Sequence, residues 1–142
     1  MTIKIQKLHP DAILPKYACK DDAGMDFYAL ETTTILPQER KTVPTGIRMA
    51  IPSGYVGLIW DKSGIALKHG MTTIGGVIDA GYRGEITILL HNLSTQPFTI
   101  EKGQKIAQML IQPVEQKEII EVPELDMNTQ RGQGGFGSTG LR

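Results

Sequence analysis

Cysteine is almost missing from this chain of 142 residues, in which Cys19 stands alone. A single thiol excludes an internal disulfide and any metal site built on a cysteine cluster, and it suits a reducing compartment. Net charge is missing as well, with fifteen basic residues set against fifteen acidic ones. No overall field is left to hold a long nucleic-acid backbone or an anionic membrane, so any anion must be bound locally. No apolar run approaches the length that spans a bilayer. The N-terminal stretch MTIKIQKLHPDAILPKYACK alternates polar with apolar residues around two prolines, unlike a signal peptide. His9, His69 and His91 are scattered without ligand spacing. That excludes a zinc-dependent deaminase and leaves the three as surface or structural residues. These absences together predict a soluble, cytoplasmic protein with no stable hold on nucleic acid or membrane.

What the chain has in quantity is glycine and proline, sixteen and eight residues, and they punctuate short alternating segments. The segments run Thr2 to Lys7, Thr32 to Leu36, Val43 to Ile51, Tyr55 to Trp60, Glu85 to Leu90 and Lys105 to Ile111. Val43, Ile47, Met49 and Ile51 keep period-two spacing after Thr45, and Ile86, Ile88 and Leu90 keep it beside Thr87 and Leu89. This is the pattern of half-buried strands, and it favours an all-β barrel or sandwich. An apolar content of 40% in 142 residues suits one domain, able to bury about two-thirds of its unfolded surface. The one helical piece is SGIALK, Ser63 to Lys68, with Ser63 as its cap and Gly70 as its end, too short to organise the fold. Trp60 is expected in the core. Composition shifts near Pro123, after which polar residues and glycines dominate. The chain therefore reads as a domain of residues 1–123 followed by an arm of residues 124–142.

Five clusters carry the chemistry. AGMDFYA, residues 23–29, places Asp26 between apolar neighbours beside Gly24, where an aspartate caps a turn or serves a polar site. DKSG, residues 61–64, sets Lys62, Ser63 and Gly64 at a helix start, an arrangement suited to an anion. Asp61 and Lys62 can equally be a solvated pair. GVIDAGYRGEI, residues 76–86, reads as a β-hairpin with Asp79 at its bend, able to deprotonate a water or only to stabilise the turn. Tyr82, just past the bend, offers a ring to a sugar or base. GQKIAQM, residues 103–109, sets the amide of Gln108 among apolar neighbours, and if it faces inward it needs a partner. Finally, RGQGGFGSTG, residues 131–140, cannot fold alone. It is nevertheless equipped to close over a phosphorylated ligand through Arg131, glycine N–H groups including that of Gly137, Ser138, Thr139 and the ring of Phe136.

In this order and at these separations, the five clusters resemble the motifs of the trimeric dUTPase family, over nearly the whole chain. The resemblance implies a jelly-roll-like β-barrel assembled as a homotrimer. Active sites would lie between subunits, each closed by a flexible, glycine-rich C-terminal arm. It gives Asp79 the role of general base for the water that attacks the α-phosphorus of dUTP, with Gln108 helping to place that water. Mg2+ would be held by the phosphates and waters, with Asp26 a partner beyond the metal's own ligands. Lys62, Ser63, Gly64, Arg131, Gly137, Ser138 and Thr139 would bind phosphates. Backbone groups at Val77, Ile78, Asp79 and Thr87 would pair with the uracil edge, Tyr82 would pack under the deoxyribose and exclude a 2′-hydroxyl, and Phe136 would stack on the base.

Three positions depart from the family pattern. Lys62 stands where these enzymes usually carry arginine, keeping the charge but losing the fork. Asp61 adds a negative charge where many relatives are neutral. Thr73 replaces an asparagine that contacts the nucleotide, leaving that contact to water or backbone. Two other readings remain at this point. A dCTP deaminase shares the fold and a similar hairpin, yet the position of its catalytic glutamate carries Leu89 here, which cannot shuttle protons. A non-catalytic nucleotide-sensing relative is disfavoured by the presence of Asp79, Ser63, Gln108, Tyr82 and the whole arm.

Overall fold

Ile86, Ile88 and Leu90 are all at most 1% exposed. Their alternation turns three side chains to one face of an extended chain, and that face closes the core. In the computed structural model, which describes residues 1–141, alternation of this kind recurs along the chain. The described residues form β1 (Lys4–Lys7), β2 (Met25–Tyr28), β3 (Thr33–Ile35), β4 (Arg40–Pro44), β5 (Ile47–Ala50) and β6 (Tyr55–Trp60). After them come α1 (Ser63–His69), β7 (Met71–Thr73), β8 (Val77–Ile78), β9 (Thr87–Asn92), β10 (Phe98–Ile100) and β11 (Lys105–Pro113). All pairings are antiparallel, in ladders β2-β11-β6-β8, β4-β9-β7, β1-β5 and β3-β10. They wrap one core containing Phe27, Ile35, Ile47, Met71, Ile106 and Met109. The all-β, jelly-roll-like architecture expected from the alternation and the resemblance is the one observed. No helix is long and apolar enough to cross a membrane among the described residues.

Four local expectations are corrected. The segment from Val43 to Ile51 is two strands, because Gly46 takes φ +69°, a left-handed conformation that glycine tolerates and that breaks the ladder. β4 then pairs with β9, and β5 with β1. GVIDAGYRGEI is not a two-stranded hairpin. β8 turns aside to pair with β6, and Ile86 donates its N–H to Ile47. Ser63 does not cap α1: it is the first helical residue, and Lys62 stands at the cap with no side-chain bond to the helix N–H groups. Gly70 ends the helix in a left-handed conformation, φ +67°, with its N–H on Ala66 and Ile65, as its position suggests. Trp60 is 56% exposed rather than in the core. Gly57 and Ile59 face inward on β6, so alternation turns Trp60 outward.

Candidate active site

β2, β11 and β6 lie side by side, and one rung of that sheet carries Asp26, Gln108 and Trp60 directly opposite one another. Residues on one rung project from the same face. Gly24, in the approach to β2, is needed because a Cβ there would run into Gln108 Oε1. The amide end of Gln108 donates from Nε2 to the backbone carbonyl of Asp61 at 2.8 Å. The half-buried amide thus has its partner. The first and fourth motifs are therefore locked to the second through one side chain.

Asp26 is 2% exposed. Lys62 Nζ donates to its Oδ1 at 2.6 Å, and Lys105 Nζ lies 2.7 Å from Oδ2, an ion pair set off the direction of a good hydrogen bond. Burial works to raise the pKa of this carboxyl, but the ammonium groups of Lys105 and Lys62 outweigh it and hold it below the usual carboxylate range. Lys105 is raised in return, chiefly by its contact with Asp26. In the ligand-free chain, then, the lysine expected to bind phosphate rests on a buried carboxylate. Asp61, one residue earlier, points the other way. Its Oδ1 accepts the N–H and hydroxyl of Thr73 at 2.6 and 2.7 Å, and its Oδ2 accepts the hydroxyl of Thr72 at 2.9 Å. The charge that departs from the family pattern is absorbed in holding β7, and the Thr73 hydroxyl donates to Asp61. Ser63 and Gly64 are exposed on the first turn of α1, and a Cβ at Gly64 would meet open space.

The loop after β8 forms a second cluster. Val77, Ile78, Asp79, Tyr82, Glu85 and Thr87 line a hollow of about 250 Å³. Asp79 is exposed there, and its carboxylate accepts no hydrogen bond from the described residues. The Tyr82 N–H closes a turn onto the Asp79 carbonyl at 3.0 Å. The phenol is pinned by donating to the Glu85 carbonyl at 2.9 Å, and its ring leaves no space for a side chain at Gly84. Ile59 donates to the Gly76 carbonyl, and Ile78 lies opposite Gly57. By the parity of an antiparallel ladder, Ile78 turns its backbone toward β6 and Val77 and Asp79 present theirs on the open edge. Ile78 therefore offers its side chain, and not its backbone, to anything in the hollow.

The two clusters sit at opposite ends of β6. Asp79 follows the Ile78–Gly57 pair and so falls beside Val56, whereas Gln108 is opposite Trp60. Four steps along β6 separate them, roughly 13 Å measured along the strand, with two strand spacings across the sheet besides. The arm joins neither. Residues 131–140 form successive turns, Gly134 on Arg131, Ser138 on Gly135 and Gly140 on Gly137, and Arg131 Nε donates to the Gly134 carbonyl at 3.0 Å. Phe136 is fully exposed, Ser138 and Thr139 are exposed, and Gly137 has φ +90°. The last strand ends at Pro113, and residues 115–125 are exposed. The histidines lie apart. His9 accepts the Asp11 N–H, His69 packs on Phe98 with ring centres 4.5 Å apart, and His91 meets the Gln38 carbonyl. No group of three or more His, Cys, Asp or Glu converges among the described residues.

The dUTPase family model matches residues 10–140. The chain belongs to the dUTPase family. It is 49% identical over 142 residues to the deoxyuridine 5′-triphosphate nucleotidohydrolase of Clostridium kluyveri, covering 99% of each. Among solved structures it is similar to the dUTPase of Staphylococcus bacteriophage 80alpha with dUpNHpp, with a TM-score of 0.93, 32% identity and 99% of each chain covered. It is also similar to a variant of the dUTPase from phage phi11 of S. aureus that coordinates a structural Mg(II) ion, with a TM-score of 0.82, 29% identity and 87% of this chain covered against 98% of that one. As a dUTPase-family chain it holds one feature that motif reading missed, the second lysine on Asp26. Lys105 stands at the start of a strand, where a lysine ordinarily reads as solvated.

Proposed function

We propose that this chain hydrolyses dUTP to dUMP and pyrophosphate in the cytoplasm, supplying dUMP for thymidylate synthesis and keeping uracil out of DNA. It would work as a homotrimer whose sites draw on more than one subunit. The observation that carries the reading is Asp79: a carboxylate with no partner among the described residues, at a hollow walled by the pinned ring of Tyr82 and the open edge of β8. A base must be free to take a proton and must have a surface that fixes its substrate, and this residue has both. The separation of Asp79 from the cluster of Asp26, Lys62 and Gln108, roughly 13 Å along β6 alone, supports a site completed by a neighbouring chain. The arm of residues 124–142, whose described residues make no hydrogen bond to the barrel, suits a lid over that site.

In this mechanism Asp79 takes a proton from the water that attacks the α-phosphorus in line, and the bond to the pyrophosphate oxygen breaks as negative charge grows there. Lys62, Ser63, Gly64 and, from the arm, Arg131, Gly137, Ser138 and Thr139 bind that charge, where fixed donors contribute most. The donor set fits Mg2+ carried on the substrate phosphates and waters. Both oxygens of Asp26 are taken by ammonium groups, so this carboxylate meets a hydrated ion through water and does not cage a bare one. When bound, the ion neutralises phosphate charge. Val77 and Asp79 backbone groups pair with the uracil edge, together with Thr87 at the start of β9, and the Ile78 side chain packs beside it. Cytosine swaps an acceptor for a donor at that edge and leaves a buried polar group unmatched, at a cost of about 1–3 kcal/mol. Tyr82 lies under the deoxyribose and Phe136 covers the base. Gln108, bonded to Asp61 in the free chain, helps place the water only after its amide is released.

The test is chromatography of products after incubation with Mg2+ and dUTP, dCTP, dTTP or UTP in turn, with Asp79→Asn alongside. The expected result is dUMP and pyrophosphate from dUTP alone, lost in the variant. A deaminated product from dCTP, or no turnover at all, sinks the reading.

A further inference from the structure

Two cations share one buried anion in this chain, and the two are anchored differently. Lys62 reaches Asp26 from the junction between β6 and α1, with extended backbone at φ −88° and ψ 119°. Lys105 reaches it from β11, paired opposite Tyr28 on the strand that carries Asp26. Both side chains stay partly open, at 30% and 45% exposure, while that of Asp26 is 3% exposed. Lys16 meets Asp26 through its backbone carbonyl, which accepts the Asp26 N–H at 2.9 Å. A buried carboxylate stripped of its cation is strongly destabilised. Lys62 is therefore free to leave for a phosphate only if another cation stays behind.

We propose that Lys105 is a positioning residue for substrate binding, keeping Asp26 compensated and in place while Lys62 exchanges the carboxylate for a triphosphate oxygen. The proposal rests on the dUTP-hydrolysis reading above. Without Lys105, Lys62 is the only ammonium left to Asp26, and the phosphate must compete with it. The cost falls on binding and not on the chemical step.

The experiment compares the parent with Lys105→Met and Lys105→Arg, measuring kcat and KM for dUTP and, in ligand-free protein, the titration of the Asp26 carboxyl by NMR. Lys105→Met is expected to raise KM by about tenfold, within the range of couplings between contacting side chains, with kcat little changed. The Asp26 titration should move to higher pH, and Lys105→Arg should restore both. An unchanged KM, or a fall in kcat that arginine does not rescue, overturns the proposal. If the parent fails to turn over dUTP, the functional reading has failed instead. The ligand-free titration then still decides whether Lys105 governs Asp26, and no movement of it in Lys105→Met overturns the assignment.

Discussion

Asp61 holds Thr73 at two points, accepting its backbone N–H at 2.6 Å and its hydroxyl at 2.7 Å. The end of β6 is thereby stapled to β7, and the residue that follows, Lys62, leaves the sheet from a fixed point. Asp61→Ala removes these two bonds and the third from Thr72. Charge-assisted bonds of this kind are worth about 1.5–3 kcal/mol singly. Part of that is recovered by water at this half-buried site, so a net loss of about 2–3 kcal/mol is expected. Urea unfolding followed by the fluorescence of Trp60 measures it, and a midpoint equal to the parent's refutes the staple.

Gly24→Ala places a methyl group where Gln108 Oε1 sits. The barrel should tolerate it at about 1–3 kcal/mol, the usual cost of overpacking. Turnover should fall more steeply, because the displaced side chain no longer holds its amide where the water is to be placed. Adding Gln108→Ala to Gly24→Ala should recover much of the stability and none of the activity. Strictly additive stabilities in this double-mutant cycle would show that the two residues do not touch.

Asp26 makes stability depend on acid. Its folded pKa lies below the ordinary value of 3.8, so its contribution is full above about pH 3.8 and is lost as pH falls through the lower folded value. Asp26→Asn should therefore be less stable than the parent at neutral pH, with the gap closing only well below pH 4. A gap independent of pH across that window would remove the ion pairs from the account.

Lys62→Arg should be at least as active as the parent, since a guanidinium fork fixes phosphate oxygens more tightly than a single ammonium. Steady-state kinetics with dUTP decide it. A slower variant would mean that the release of Lys62 from Asp26, and not phosphate geometry, limits the reaction.

Removing the chain after Asp126 should abolish turnover and leave thermal unfolding of the barrel unchanged, because among the described residues no hydrogen bond ties residues 127–141 to it. Full activity in the truncated chain would refute the lid.

Strands with side chains on both sides of a buried boundary were legible. β6 has the predicted ends, and the alternation through Ile86, Ile88 and Leu90 fixes which face of β9 is buried. β10, three residues in QPFTIEK, is too short to show a period. Trp60 is hydrophobic enough to suggest the core, but parity with the buried Gly57 and Ile59 turns it outward. Pairing partners were beyond reach, since nothing local tells β8 to lie beside β6 instead of folding back on β9. Asn92, fully buried, was also missed. It binds the Gln96 carbonyl through Nδ2 and Ser94 through Oδ1 close by in the chain, but its bond to the Ile35 carbonyl, 57 residues away, is one that no motif announces. In the site, Asp26, Lys62, Gln108 and Asp79 could each be picked out singly. That one carboxylate joins Lys62 to Lys105 is a property of the register between β2 and β11, which the chain acquires only on folding.

The placement of Asp79 and Lys62 at opposite ends of β6 has a genetic consequence. In the proposed assembly the two residues serving one substrate come from different chains, so a lesion in either is not confined to the site its own chain starts. Two inactive alleles, one lacking the base and one lacking the phosphate lysine, would complement each other when expressed together, because mixed assemblies contain sites in which both contributors are intact.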